Sequence, residues 1–222
     1  MASPKILIAS GNGFNCERET SYVFEMCGGR PETVHMNDIL SGDTNIADYQ
    51  VIAFVGGFSY GDHLGGGKVA AYKFRFQLSD ELQNFIQGDT LIIGICNGFQ
   101  VITQMGILPG LSGNYDNQLF TLSPNTSMRY EDRWVHLKVN ANSPCVFTRN
   151  INSLYVPVRH GEGKVTADDD SVINKILESN QAPIYYMDPS TDKPTDKYPY
   201  NPNGSASGIA GICDPTGRIF GL

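Results

Sequence analysis

No two of the five cysteines form a C-x-x-C pair, and their number is odd. A disulfide framework or a zinc knuckle is therefore not expected, and free thiols suit a reducing compartment such as the cytoplasm. Cations are also in short supply: 16 Lys and Arg stand against 23 Asp and Glu, a net charge of −7 with His neutral. With a pI near 5.0, the chain lacks the basic face that a nucleic acid or an anionic membrane would require. Long apolar runs are missing too. The longest uncharged stretch, Thr90 to Tyr115, is interrupted by Asn97, Gln100, Gln104, Pro109 and several glycines, which argues against a membrane span. The first residues hold one Lys and a short apolar run, Ile6 to Ala9, so no signal peptide is expected. There is no G-x-x-x-x-G-K-[ST] phosphate loop, and Gly65-Gly-Gly67 does not supply one.

What is present suits one soluble α/β domain over residues 1–222. Hydrophobic residues make up 41% of the chain, enough for a real core at this length. Lys5–Ser10, Val51–Val55 and Leu91–Ile95 read as buried strands, with a shorter one at Thr33–Met36. Helices are expected from about Cys16 to Cys27 (capped by Asn15 and ended by Gly28), over Lys68–Ile86 with a break at Ser79-Asp80, and from Gly98 to Met105. Strands apolar on both faces and alternating with helices predict a flavodoxin-like, mostly parallel sheet covered on both sides. Ligands of such sheets bind at the carboxyl ends of the strands, here Gly11-Asn-Gly13, Gly56-Gly-Phe58 and Cys96-Asn-Gly98.

The second half predicts an antiparallel extension. Val135, Leu137 and Val139 alternate with His136 and Lys138, Ser153–Arg159 and Ile184–Met187 read as strands, and Asp168–Asp170 opens a helix reaching Ser179. Asp188–Gly204 is polar and rich in Pro and Asn, which predicts a loop that is mobile or ordered by a partner. Ile209–Cys213 and Arg218–Leu222 flank a tight turn at Asp214–Gly217.

Gly94-Ile-Cys96-Asn-Gly98 is the thiol form of the G-x-S-x-G nucleophile elbow. The strand must turn sharply into a helix at the nucleophile, and the flanking glycines remove side chains that would collide across that turn. Cys96 then sits at a helix N-terminus, where exposed amides favour a thiolate. The amide of Asn97 points at an incoming carbonyl oxygen. At the end of the third strand, Gly56-Gly-Phe-Ser-Tyr-Gly-Asp62 brings backbone close to a substrate, with the amide of Gly57 as the second oxyanion donor. Cys16, Cys27, Cys145 and Cys213 read as inert packing residues. His35, His63 and His136 have no metal-ligand spacing. Gly11-Asn-Gly13-Phe-Asn-Cys16 lacks the third glycine of a dinucleotide fingerprint.

Gly94–Gln100 and Gly56–Asp62, with Gly13-Phe-Asn-Cys16, His160-Gly-Glu-Gly163 and Asn201-Pro-Asn-Gly-Ser205, resemble the class I glutamine amidotransferases. Within that class they are similar to the glutaminase subunit or domain of phosphoribosylformylglycinamidine synthase. The resemblance implies that Cys96 attacks the side-chain amide of glutamine and that ammonia leaves from a thioester. It implies oxyanion donors at Gly57 and Asn97 and a glutamine site that includes Gln100, Gly56 and Phe58. It also implies a synthetase partner, which holds the ATP and Mg that this chain does not, and which turns formylglycinamide ribonucleotide into the amidine.

The family's general base and its acid come from a Pro-His-Pro-Glu segment. That segment is not among these residues, so His and Glu are expected after Leu222. Inside the chain, His160 and Glu162 have the spacing of that pair. They belong to a separate motif, however, and are expected to line the pocket or order a loop, as are Asn203 and Ser205. A non-catalytic module of the same fold, or another elbow-cysteine hydrolase, would share part of this pattern.

Overall fold

The computed structural model describes residues 3–222. They form two compact units. One runs to Met105 and includes Gly221; the other comprises Gly106–Phe220 and Leu222.

The first unit holds β1 (Lys5–Ser10), α1 (Glu17–Met26), β2 (Arg30–His35), α2 (Met36–Leu40), β3 (Val51–Phe54), α3 (Lys68–Gln77), α4 (Ser79–Gln87), β4 (Leu91–Gly94) and α5 (Asn97–Gln104). Its four strands are parallel in the order β2-β1-β3-β4, the flavodoxin-like order expected from the strand–helix alternation. All four residues of β3 are buried, as a central strand covered on both faces must be. Leu7, Ile39, Ile52, Phe54, Phe74, Leu78 and Leu82 meet in the core between the sheet and α2–α4. There the Phe54 and Phe74 rings pack edge to face at 5.1 Å. The register aligns Ala9 with Phe54 and Phe54 with Gly94, so β1, β3 and β4 end side by side at one edge of the sheet. The three glycine-bearing segments that follow these strands are thereby brought together.

Several local expectations are corrected. Asn15 does not cap α1: Cys16 holds the N-cap position without a side-chain bond, while the Asn15 amide donates to Gly56 O at 2.9 Å. The turn around Gly11–Gly13 claims Asn15 for tertiary structure before the helix begins. The second strand starts earlier than expected and stops at His35, whose Nδ1 accepts from Asn37 N at 3.1 Å and opens α2. The helical stretch from Lys68 does divide, at Leu78. Cys16 and Cys27 lie at the two ends of α1 and are exposed, whereas Cys145 and Cys213 are buried. Only the second pair therefore packs as expected.

The second unit adds β5 (Thr121–Pro124), β6 (Glu131–Val139), β7 (Ser153–His160), β8 (Glu162–Thr166), α6 (Asp170–Glu178), β9 (Ile184–Asp188), β10 (Lys193–Pro194), β11 (Ile209–Cys213) and β12 (Ile219–Gly221). Its main sheet runs β12-β11-β9-β6-β7, with β10 on β9. The pairings of β6 with β7 and of β9 with β6 and β11 are antiparallel, the extension foreseen in the second half. β5 and β8 form a separate two-stranded sheet that alternation had not revealed. Asp169 caps α6, its Oδ1 accepting from Ser171 N at 2.8 Å.

The Asp188–Gly204 segment departs most from expectation. Its last part is buried and tied down, because Asn and Ser side chains satisfy its backbone. Asn203 Nδ2 donates to Gly163 O at 2.8 Å and to the buried Tyr186 hydroxyl at 3.0 Å. Ser205 Oγ accepts from Val165 N at 3.0 Å, and Gly204 N donates to Asn201 Oδ1 at 3.0 Å. Asn201–Ser205 is thus a polar knot that fastens β8 and β9, and polarity there signals internal hydrogen bonding rather than solvation.

Candidate active site

Cys96 joins β4 to α5 with φ 55° and ψ −113°, a conformation a non-glycine residue adopts at a cost of about 1–3 kcal/mol. The two flanking glycines are sterically compelled. A methyl group on Gly94 would stand 2.6 Å from Gly98 O, and one on Gly98 would overlap the carbonyl oxygen of Phe54 on β3. The first turn of α5 therefore lies directly against two strand ends, and only glycine allows it.

The glycine loop after β3 is held by the turn after β1. Phe14 and Gly57 form an antiparallel bridge, Phe58 N donates to Gly13 O at 2.8 Å, and Tyr60 N donates to Asn12 O at 2.6 Å. Gly57 has φ 140°, and a side chain there would overlap Gly13 O. This pinning orients the Gly57 amide: it and the Asn97 amide both donate toward the Cys96 sulfur. The two expected oxyanion donors thus converge on the nucleophile.

The electrostatics correct one expectation. Burial pushes the Cys96 thiol above its ordinary value, more than the amides of Asn97 and Gly57 pull it down; Cys16 and Asp62 push it further up. The amides at the helix N-terminus favour the thiolate, and the protein around the sulfur opposes them.

The side chain of Asn97 has a role that sequence reading missed. It is fully buried, and its Oδ1 accepts from Ser59 N at 3.0 Å. Its Nδ2 donates to Gln100 Oε1 at 2.8 Å and to Asp62 Oδ1 at 3.2 Å. Asp62 Oδ1 also takes the Gly67 amide at 3.4 Å, and burial raises the Asp62 carboxyl pKa. One amide side chain therefore clamps the glycine loop to the elbow helix. The signal was an Asn directly after the nucleophile and an Asp at the end of the glycine loop, each polar where the chain is otherwise apolar or glycine.

Of the residues expected around glutamine, Gly56 is buried between the Cys16 sulfur and Cys96, 3.4 Å and 3.5 Å from the position a methyl group would take. Phe58 is exposed at the loop surface. Gln100 is buried, its carboxamide set against Gly66 and Asn97. In this unit His35 is committed to the α2 cap, and His63 lies beside Gly61.

His160, Glu162, Asn203 and Ser205 belong to the second unit. His160 Nδ1 lies 3.2 Å from Asn125 Oδ1, and Asn125 Nδ2 donates to His160 O at 2.8 Å. The imidazole is thus paired with an amide rather than with Glu162 in a catalytic dyad, and it orders the turn between β7 and β8. Burial holds its pKa below the ordinary histidine value. The unfolded chain takes up that proton near pH 6.5, which the folded chain resists. Stability from neutral His160 is full above about pH 6.5 and is lost as pH falls through the lowered native value. Thermal melts at pH 7.5 and pH 5.0 should therefore show a smaller acid-induced drop in Tm for His160→Gln than for the wild type. Equal drops would remove His160 as the cause.

Comparison with known proteins bears on the whole chain. The profile of the CobB/CobQ-like glutamine amidotransferase domain matches residues 3–222. Phosphoribosylformylglycinamidine synthase subunit PurQ of Methanococcus maripaludis is 47% identical over 219 residues, 99% of this chain and 80% of its own length. Its counterpart from Dehalococcoides mccartyi is 46% identical over 222 residues, 100% of this chain and 84% of its own length. Among solved structures, PurLQS from Thermotoga maritima aligns with a TM-score of 0.73 at 29% identity, covering 100% of this chain and 86% of the matched one. The strained cysteine elbow, the two amides facing it and the full-length match agree: the chain belongs to the CobB/CobQ-like glutamine amidotransferase family, among the relatives of phosphoribosylformylglycinamidine synthase subunit PurQ.

Proposed function

We propose that this amidotransferase chain hydrolyses glutamine through a Cys96 thioester and delivers the ammonia to a synthetase that converts formylglycinamide ribonucleotide to formylglycinamidine ribonucleotide. The observation that carries the chemistry is the meeting of the Gly57 and Asn97 amides at the Cys96 sulfur. When the thiolate attacks the carboxamide carbon of glutamine, negative charge grows on its oxygen beside the attacking sulfur, where those donors point. Each such donor contributes about 3–4 kcal/mol to that intermediate.

Collapse of the intermediate expels ammonia; water then attacks the thioester carbonyl, forming a second oxyanion at the same donors, which expels the Cys96 sulfur and releases glutamate. Attack by sulfur requires a base that takes the thiol proton and returns it to the departing nitrogen, so that ammonia and not amide ion leaves. ATP and Mg would bind the synthetase. The substrate and partner follow from the names of the close relatives, and five cysteines outside any disulfide suit a reducing cytoplasm. Among the described residues, no helix is long and apolar enough to cross a membrane.

The test is covalent labelling. A glutamine analogue carrying an electrophile at the carboxamide position, given to the whole gene product with its synthetase, should modify Cys96 stoichiometrically and be blocked by glutamine. Modification of Cys16 or Cys27 in its place, or no protection by glutamine, would overturn the assignment.

A further inference from the structure

A second thiol stands beside the nucleophile and takes no part in the chemistry above. The point at which a side chain on Gly56 would begin lies 3.4 Å from the Cys16 sulfur and 3.5 Å from Cys96 Cβ. One methyl-sized space therefore separates the two cysteines, and both are exposed. Backbone ties bring Cys16 there. Phe14 bridges to Gly57, and the Asn15 amide donates to Gly56 O at 2.9 Å, so the chain reaches Cys16 alongside the glycine pair.

The space over Gly56 has no occupant from the chain itself. Gly57, Gly94 and Gly98 are glycine because a methyl group at each would overlap backbone. Gly56 is not compelled in this way. Its backbone is outside the left-handed region, and its methyl group would meet nothing closer than 3.4 Å. Alanine would fit the folded chain. Glycine at this position leaves free a space that the protein does not fill.

We propose that Cys16 is a substrate-contact residue: its sulfur forms the wall of the glutamine site opposite Cys96, against which the substrate packs when its carboxamide meets the nucleophile. The inference rests on the reading of this chain as a glutaminase. In that reaction the carboxamide carbon must touch the Cys96 sulfur while its oxygen faces the Gly57 amide. That amide is joined directly to Gly56, so a substrate in this pose lies over Gly56, and Cys16 bounds the same space.

A thiol suits that wall. Sulfur is large and polarizable and packs well against methylene groups. A thiolate there would compete with Cys96 for electrophiles. Burial and the charges of Glu19 and Glu17, in the first turn of α1, hold the Cys16 thiol above its ordinary value and so keep it neutral. The site then presents one nucleophile and one inert sulfur. Cys27, also exposed, is separated from Cys16 by the ten residues of α1, about 15 Å of helix, and serves as a comparison.

Alkylation of the Cys96→Ala protein, as the whole gene product assembled with its synthetase, tests the contact. Saturating glutamine should slow the reaction of iodoacetamide with Cys16 by about tenfold and leave Cys27 unchanged, because reactivity follows access to the sulfur. Kinetics on enzyme that retains Cys96 give a second reading. Gly56→Ala fills the space with one methyl group and should lower kcat/KM for glutamine by about 10–200-fold, chiefly through KM, at wild-type Tm. Cys16→Ala removes no capping bond from α1, so it too should keep its Tm while KM rises by about tenfold. Cys16 alkylation that glutamine does not slow, slowing of Cys16 and Cys27 alike, or wild-type KM in both variants overturns the contact and leaves the glutaminase reading intact. A wild-type complex that does not turn over glutamine overturns both.

Discussion

Cys96→Ala is expected to abolish glutamine-dependent amidine synthesis by the assembled enzyme, by at least about 10⁴-fold, while synthesis from added ammonium continues at nearly the wild-type rate. The size follows from the chemistry. Without the sulfur there is no thioester, and what remains is the residual effect of oriented amides on water attack, which in comparable nucleophile deletions lies about 10⁶-fold below the intact enzyme. The selectivity follows from the division of labour, since the alanine leaves the partner's chemistry untouched. It should also leave the fold untouched: Cys96 reaches the surface although protein crowds its sulfur, so alanine opens no core cavity, and the strain at φ 55° belongs to the backbone, which alanine tolerates about as well as cysteine does. Rates with glutamine and with ammonium, measured side by side, give the result. Loss of both activities together would mean that Cys96 supports the complex rather than the glutaminase step.

The features most legible in the sequence were those set by the strongest local constraints. A strand buried on both faces must be apolar throughout, so β1 and β3 stood out; Leu91–Ile95 is as apolar, yet β4 alternates half-buried and buried residues and Ile95 is exposed. A turn with no room for a methyl group must use glycine, so Gly94 and Gly98 marked the elbow before any coordinates did. The steric demand is visible in the overlap a Gly98 side chain would make with Phe54 O. Less legible were the features set by partners distant in sequence. Asn15 looked like a helix cap because local patterning cannot reveal that its backbone is tied to Gly56 O and that the helix starts one residue later, with Cys16 at the cap position. The end of the Asp188–Gly204 loop looked mobile because Asn serves loops and buried hydrogen-bond networks alike; only Gly163 and Tyr186 distinguish the two. At Cys96 the amides that favour a thiolate were readable from the sequence, while the surrounding protein that opposes them was not.

Asn97→Ala isolates the contribution of the clamp, because it keeps the backbone amide that faces the oxyanion and removes only the side chain that fixes it. Three interactions end at once. Ser59 N loses its acceptor, and Asp62 and Gln100 each lose the amide that Asn97 donates to them. The Ser59 amide and the half-buried Asp62 carboxylate then stand short of partners, at about 1–3 kcal/mol each, so thermal stability should fall measurably. The larger effect is on rate. The two proposed oxyanion donors come from different segments, Gly57 from the loop after β3 and Asn97 from the start of α5. The Asn97 side chain is a direct hydrogen-bonded tie between those segments. If the donors drift apart by an ångström, one of them no longer reaches the developing charge, which costs about 10²–10³-fold in kcat. KM for glutamine should change little, because the oxyanion exists only beyond the ground state. Alkylation of Cys96 should proceed as in the wild type, since the sulfur's own position depends on Gly94 and Gly98. A KM effect with unchanged kcat would instead place the Asn97 side chain in the glutamine site, and a variant with wild-type kinetics would show that the pinning of Gly57 by the Gly13 turn suffices to hold the donors in place.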